Sequence, residues 1–144
     1  MPHEDGGTYA PVVATVSLGA TICLEITRKP ETAAGETQPE SNEILGANSG
    51  TQYVVPTRII QEPRSLLITT GSAYNDLLHG ISSVKVDENL NADTVANWHL
   101  LSDSSVFEAA GGRHERGTRI SLTYRDVLKV SSAANKIFGG LARR

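Results

Sequence analysis

Val12-Val13-Ala14-Thr15-Val16-Ser17-Leu18, then Gly19-Ala20, then Thr21-Ile22-Cys23-Leu24-Glu25-Ile26-Thr27, is the stretch on which the fold turns. β-Branched residues are frequent in both runs and a Gly-Ala turn parts them, so they read as two strands. The same stretch is the most apolar of the chain, but Thr15, Ser17, Gly19, Thr21 and Glu25 interrupt it, which excludes a membrane span. Further strands follow outward. Tyr53-Val54-Val55 and Ile59-Ile60 continue the sheet, and Glu62-Pro63-Arg64 turns the chain into Ser65-Leu66-Leu67-Ile68-Thr69-Thr70-Gly71. Ile81 to Val86 alternates apolar and polar residues as a half-buried strand does, and Thr118 to Val130 is the last strand. Helical signals are few: one turn within Ser72 to Leu78, a short helix from about Asp93 to Leu101, and another around Ala133 to Phe138 that Gly139-Gly140 ends. Many short strands with little helix predict an all-β sandwich or barrel.

Two excursions interrupt the strands. Arg28 to Gly50 has no aromatic residue and is rich in Glu, Ser, Thr, Gly, Asn and Pro, the composition of a mobile hairpin insertion. Asp87 to Gly117 reads as a second long loop, carrying Trp98 and His99.

A chain of 144 residues forms one domain with room for a core. The formal charge is −3, and cationic residues are adjacent only in the pairs Arg28-Lys29 and Arg143-Arg144, so the bulk composition does not itself call for nucleic acid. Cys23 is the sole cysteine and sits in an apolar run, as a buried small residue does. No disulfide can form within the chain, which favours a reducing compartment. The polar, acidic N-terminus lacks the apolar stretch of a signal peptide.

Chemistry enters at His3-Glu4-Asp5. On extended backbone, residues two apart share a face and lie roughly 7 Å apart along the strand, so an imidazole and a carboxylate can reach one metal ion. His79, just past Leu77-Leu78, offers a third ligand. Two histidines and a carboxylate form the facial triad of non-haem Fe(II) oxygenases, which leaves coordination positions open. Standing alone, His-x-Asp is a weak signal and His79 reads as a satisfied histidine at a strand end. His99 and His114 are rival ligands, the first in a loop and the second among glycines and charges that suggest exposure.

In Arg119-Ile120-Ser121-Leu122-Thr123-Tyr124-Arg125, period-two alternation sets Arg119, Ser121, Thr123 and Arg125 on one face and Ile120, Leu122 and Tyr124 on the other. The default packs the apolar face inward and leaves the arginines in water. If the polar face instead turns inward, buried arginine calls for an anionic partner held by bidentate pairing. Arg119 and Arg125 stand about 20 Å apart along the strand, too far to share one carboxylate.

His3-x-Asp5, His79 and Arg119-x5-Arg125 together resemble the signature of the AlkB family of Fe(II)/2-oxoglutarate dioxygenases. Three longer segments look like the eukaryotic AlkB homologue 6 subfamily: Pro2 to Gly19, Glu62 to Ile81, and Arg116 to Thr123. The resemblance covers residues 1 to about 130 apart from the two excursions. It implies a double-stranded β-helix (jelly-roll), N-terminally incomplete, over residues 1–130, followed by a tail at 131–144. His3, Asp5 and His79 would hold Fe(II). The cosubstrate 2-oxoglutarate would chelate the iron, its far carboxylate would pair with Arg119, and Arg125 would sit nearer the metal. Ser121 would add a cosubstrate contact at a position where relatives can carry Asn. The implied reaction uses O2 and dealkylates a DNA or RNA base, with protein a lesser alternative as substrate, in a monomer of the nucleus or cytoplasm, away from membranes.

Family members also carry an earlier strand with an Asn-x-Tyr motif and segments that grip nucleic acid. Here the ligand pair begins at residue 3, so the expectation is a truncated gene model or a shortened product, with a bare sheet edge and exposed core surface. Two other readings stand beside the enzyme: a catalytically silent jelly-roll fragment or binding module, and a cupin-like metal protein, which would not need the paired arginines. Trp98, Phe107 and Tyr124 could stack on a base or simply pack.

Overall fold

A computed structural model of the chain describes residues 1–30, 44–45 and 53–129. In chain order the strands begin with β1 (Tyr9–Gly19), β2 (Ile22–Arg28), β3 (Ile44–Leu45), β4 (Tyr53–Val54), β5 (Thr57–Gln61) and β6 (Ser65–Thr70). After the short helix α1 (Ser72–Asn75) come β7 (Leu77–Gly80), β8 (Val86–Asp87), a 3-10 turn at Trp98–Leu100, helix α2 (Ser105–Ala109), β9 (His114–Glu115) and β10 (Arg119–Val127). All strand pairings are antiparallel. The fold is all-β, as the residue pattern predicts. Most of the first predicted insertion, and the predicted tail helix, lie outside the described residues; of the insertion, only the backbone pairing of β3 with β4 falls within them.

The opening stretch does more than supply two strands. β1 joins a sheet of order β10-β1-β6 and β2 joins another of order β5-β2-β7, so Gly19-Ala20 carries the chain from one sheet to the other. The crossing is tight. Gly19 has φ 71°, and a Cβ there would lie 2.6 Å from the Thr118 carbonyl oxygen, which also accepts the Ala20 N–H at 2.9 Å. The inner faces of the two sheets line one cavity of about 520 Å³.

The second sheet is covered on its other face as well. Cys23 and Ile60 pack with Leu90, Val95 and Phe107, with Trp98 and Leu101 at the margin, and Ile60 also borders the cavity. This covering is the second excursion, Asp87 to Gly117, expected as a long loop and found packed against the sheet. Asn97 docks it by extending the edge of β5: its side-chain amide donates to the Ile60 carbonyl at 2.8 Å and its oxygen accepts the Ile60 N–H at 2.9 Å. Arg116 pins its far end with paired hydrogen bonds to Asp87 at 2.8 and 2.6 Å, both side chains being buried. Burial also pushes the Cys23 thiol up to about 11, so it stays a protonated, inert packing group.

Three local expectations fail for identifiable reasons. The helix predicted over Asp93 to Leu101 reduces to the 3-10 turn at Trp98–Leu100: Asn91 starts a turn by accepting the Asp93 (2.9 Å) and Thr94 (3.2 Å) amides, but the Ala96 amide then donates to the Arg58 carbonyl of β5 at 2.8 Å instead of continuing it. The strand predicted over Ile81 to Val86 survives only as β8, and Ile81 and Val84 are exposed. Side chains replace the ladder there: Ser82 donates to Glu25 at 2.6 Å, and Arg116 Nη1 donates to the Ser82 carbonyl at 2.5 Å. Finally, β10 turns its polar face to the cavity. Ile120, Leu122 and Tyr124 are 56%, 46% and 58% exposed, the reverse of the default for an amphipathic strand.

Candidate functional site

The cavity between the sheets is lined by all six residues singled out from the sequence: His3, Asp5, His79, Arg119, Ser121 and Arg125. They fall into two groups, at opposite ends of β10.

One end is built around β7. His79 and His3 exchange backbone hydrogen bonds of 2.9 and 3.0 Å, which adds the N-terminal segment to the edge of the β5-β2-β7 sheet. Gly80 permits this approach, since a Cβ there would sit 3.0 Å from the Pro2 backbone. The pairing brings the two imidazoles together, ring centres 4.5 Å apart and planes tilted by 55°. Further ties hold the segment: Tyr74 donates its hydroxyl to the Gly6 carbonyl at 2.8 Å, and Lys29 pairs with Glu4. Asp5 is buried at the side chain, with one oxygen 3.8 Å from His79 Nε2. Its other oxygen accepts from Arg125 Nε at 2.7 Å and also pairs with Nη2 of the same arginine. Arg125 in turn lies over the Tyr9 ring.

Burial lowers the pKa of His79, with His3 and Arg125 adding to that effect and Asp5 opposing it. A histidine kept neutral retains a lone pair for a metal. Two imidazoles and one carboxylate supply suitable donor chemistry, and the strand pairing joins two of the three. The side chains nonetheless stand as a hydrogen-bonded group: among the described residues no three His, Cys, Asp or Glu side chains converge as a ready metal site.

The other end is basic. Arg119 reaches into the cavity and donates to Ser17 Oγ (3.2 Å), Ser121 Oγ (2.9 Å) and Gln61 Oε1 (2.7 Å). All three acceptors are neutral, and among the described residues no carboxylate pairs with it. Burial accordingly lowers its pKa from the ordinary guanidinium value. Arg125, by contrast, has its carboxylate. Between the two ends the walls are largely aliphatic, with Leu24, Ile26, Ile59 and Leu67 among them.

The rivals are elsewhere. His99 is exposed and His114 is half-buried with its ring 5.6 Å from Phe107, so the expected exposure of His114 is not seen; neither lines the cavity. Trp98 packs against Phe107 at 5.8 Å, and Tyr124 lies on the outer face of β10. Ser17 and Gln61 were not anticipated. Both are buried polar residues inside strands, which is the signal that could have found them.

No family model matches the chain. Over 133 residues it is 33% identical to a Danio rerio protein named "Probable RNA/DNA demethylase ALKBH6". This similarity supports AlkB-family membership. The match takes in 92% of this chain and 50% of that relative, so the chain spans half the length of the AlkB protein it resembles.

Proposed function

We propose that this chain carries the metal and cosubstrate centre of an Fe(II)- and 2-oxoglutarate-dependent dioxygenase of AlkB type, and that its facing sheets are the core of a double-stranded β-helix. Arg119 carries the reading. It is a partly desolvated cation with only neutral partners, in the cavity that also holds His3, Asp5 and His79. Burying a cation without a counter-charge is costly, so such a site suits an anionic ligand.

The residues fit the implied group. His3, His79 and Asp5 would hold Fe(II), and when bound the iron supplies the oxidation of a C–H bond at the expense of O2 and 2-oxoglutarate. Arg125 is a positioning residue: it occupies one oxygen of Asp5 and leaves the other facing His79. Arg119 has five N–H groups and spends three on Ser17, Ser121 and Gln61, leaving two for a bidentate carboxylate. Ser121 orients that fork. The aliphatic walls exclude water around the middle of the ligand. The substrate class follows the relative's name: an alkylated RNA or DNA base, with a homologue 6-like identity.

The test is 2-oxoglutarate affinity, measured by calorimetry with Mn(II) in place of iron. Arg119→Ala should weaken it on the order of 100-fold, the loss of two charge-assisted hydrogen bonds. An unchanged affinity would contradict the assignment.

A further inference from the structure

Ser65 opens β6 at the basic end of the cavity, which it lines. Its hydroxyl oxygen is buried and has no hydrogen-bond partner. It completes a row of three serines across the sheet, since Ser17 on β1 faces Ser121 on β10 on one side and Ser65 on β6 on the other. The hydroxyls of Ser17 and Ser121 both accept from Arg119 and so help to aim it. The third is uncommitted.

An unpartnered hydroxyl in a buried position is worse for folding than a methyl group would be, and such groups are uncommon. Ser65 lies directly across from Ser17, to which Arg119 donates, and both Ser65 and Arg119 line the same cavity, so a ligand held there by the arginine comes within the serine's neighbourhood. A carboxylate has about four acceptor sites, so it can take a bidentate arginine and a hydroxyl together. We propose that Ser65 donates to the same carboxylate as Arg119, making it a specificity residue for an oxo acid that carries a second carboxylate at its far end. The proposal rests on the dioxygenase reading and adds to it a residue that the Arg119-x5-Arg125 pattern does not contain.

The experiment uses the full chain with Mn(II), which prevents turnover, and two probes titrated by calorimetry. They are 2-oxoglutarate and 2-oxopentanoate, the same oxo acid ending in methyl. Ser65→Ala should weaken 2-oxoglutarate about 10-fold, one hydrogen bond to a charged acceptor. It should leave 2-oxopentanoate unchanged and should not lower the unfolding midpoint of the ligand-free protein. Ser65→Thr, which keeps the hydroxyl, should restore most of the loss. Equal binding of 2-oxoglutarate by wild type and Ser65→Ala would overturn the role of Ser65, its hydroxyl then being satisfied by water, while leaving the site reading intact. Equal losses on both acids would mark a structural defect and also overturn it. A wild-type chain that binds neither acid would overturn both readings.

Discussion

On the β5-β2-β7 sheet, Cys23 and Ile60 meet Leu90, Val95 and Phe107 in a buried apolar cluster. On the β10-β1-β6 sheet, Leu122, Ile120 and Tyr124 stand outside the same cavity at 46%, 56% and 58% exposure. In both sheets successive side chains of a strand point to opposite faces. What differs is the company of each face. In the first sheet the excursion from Asp87 to Gly117 supplies an apolar lid, so both faces are core. In the second, the polar residues of β10 look inward because the cavity gives them partners: Asp5 for Arg125, and Ser17, Ser121 and Gln61 for Arg119. Amphipathic alternation therefore reports that a strand has two unlike faces, and leaves open which one is inside.

The contrast can be broken first from the covered side. Phe107→Ala should cost about 3–5 kcal/mol in urea unfolding, since the ring joins the cap to Cys23 and Ile60. A loss below about 1 kcal/mol would mean that the cap is not part of the folding unit. Substitution on the bare face should do much less. Leu122→Ser and Ile120→Ser should each change stability by about 0.5 kcal/mol or less, while lowering the fluorescence of a dye that binds exposed apolar surface. A cost near that of Phe107→Ala would show that this face is covered in solution.

The same contrast explains what could be read before the structure. The candidate residues that line the cavity were legible because they are few and polar: His3 and Asp5 two apart before β1, His79 after an apolar run, Arg119 and Arg125 on one face of β10. The cap was not. Leu90, Val95 and Phe107 follow no strand or helix period, and their burial depends on Asn97 and Arg116 docking across distant sequence. Ile81 to Val86 has the alternation of a strand without a neighbouring edge to pair its whole length. Ser65 carried no signal at all, since its interest lies in a hydroxyl left without a partner in three dimensions.

The most direct measurement is the anaerobic absorption spectrum of the chain with Fe(II) and 2-oxoglutarate. A weak visible charge-transfer band should appear only when both are present, and His79→Ala should abolish it by removing one metal ligand. A folded wild-type chain that shows no band at saturating metal and cosubstrate would contradict the account.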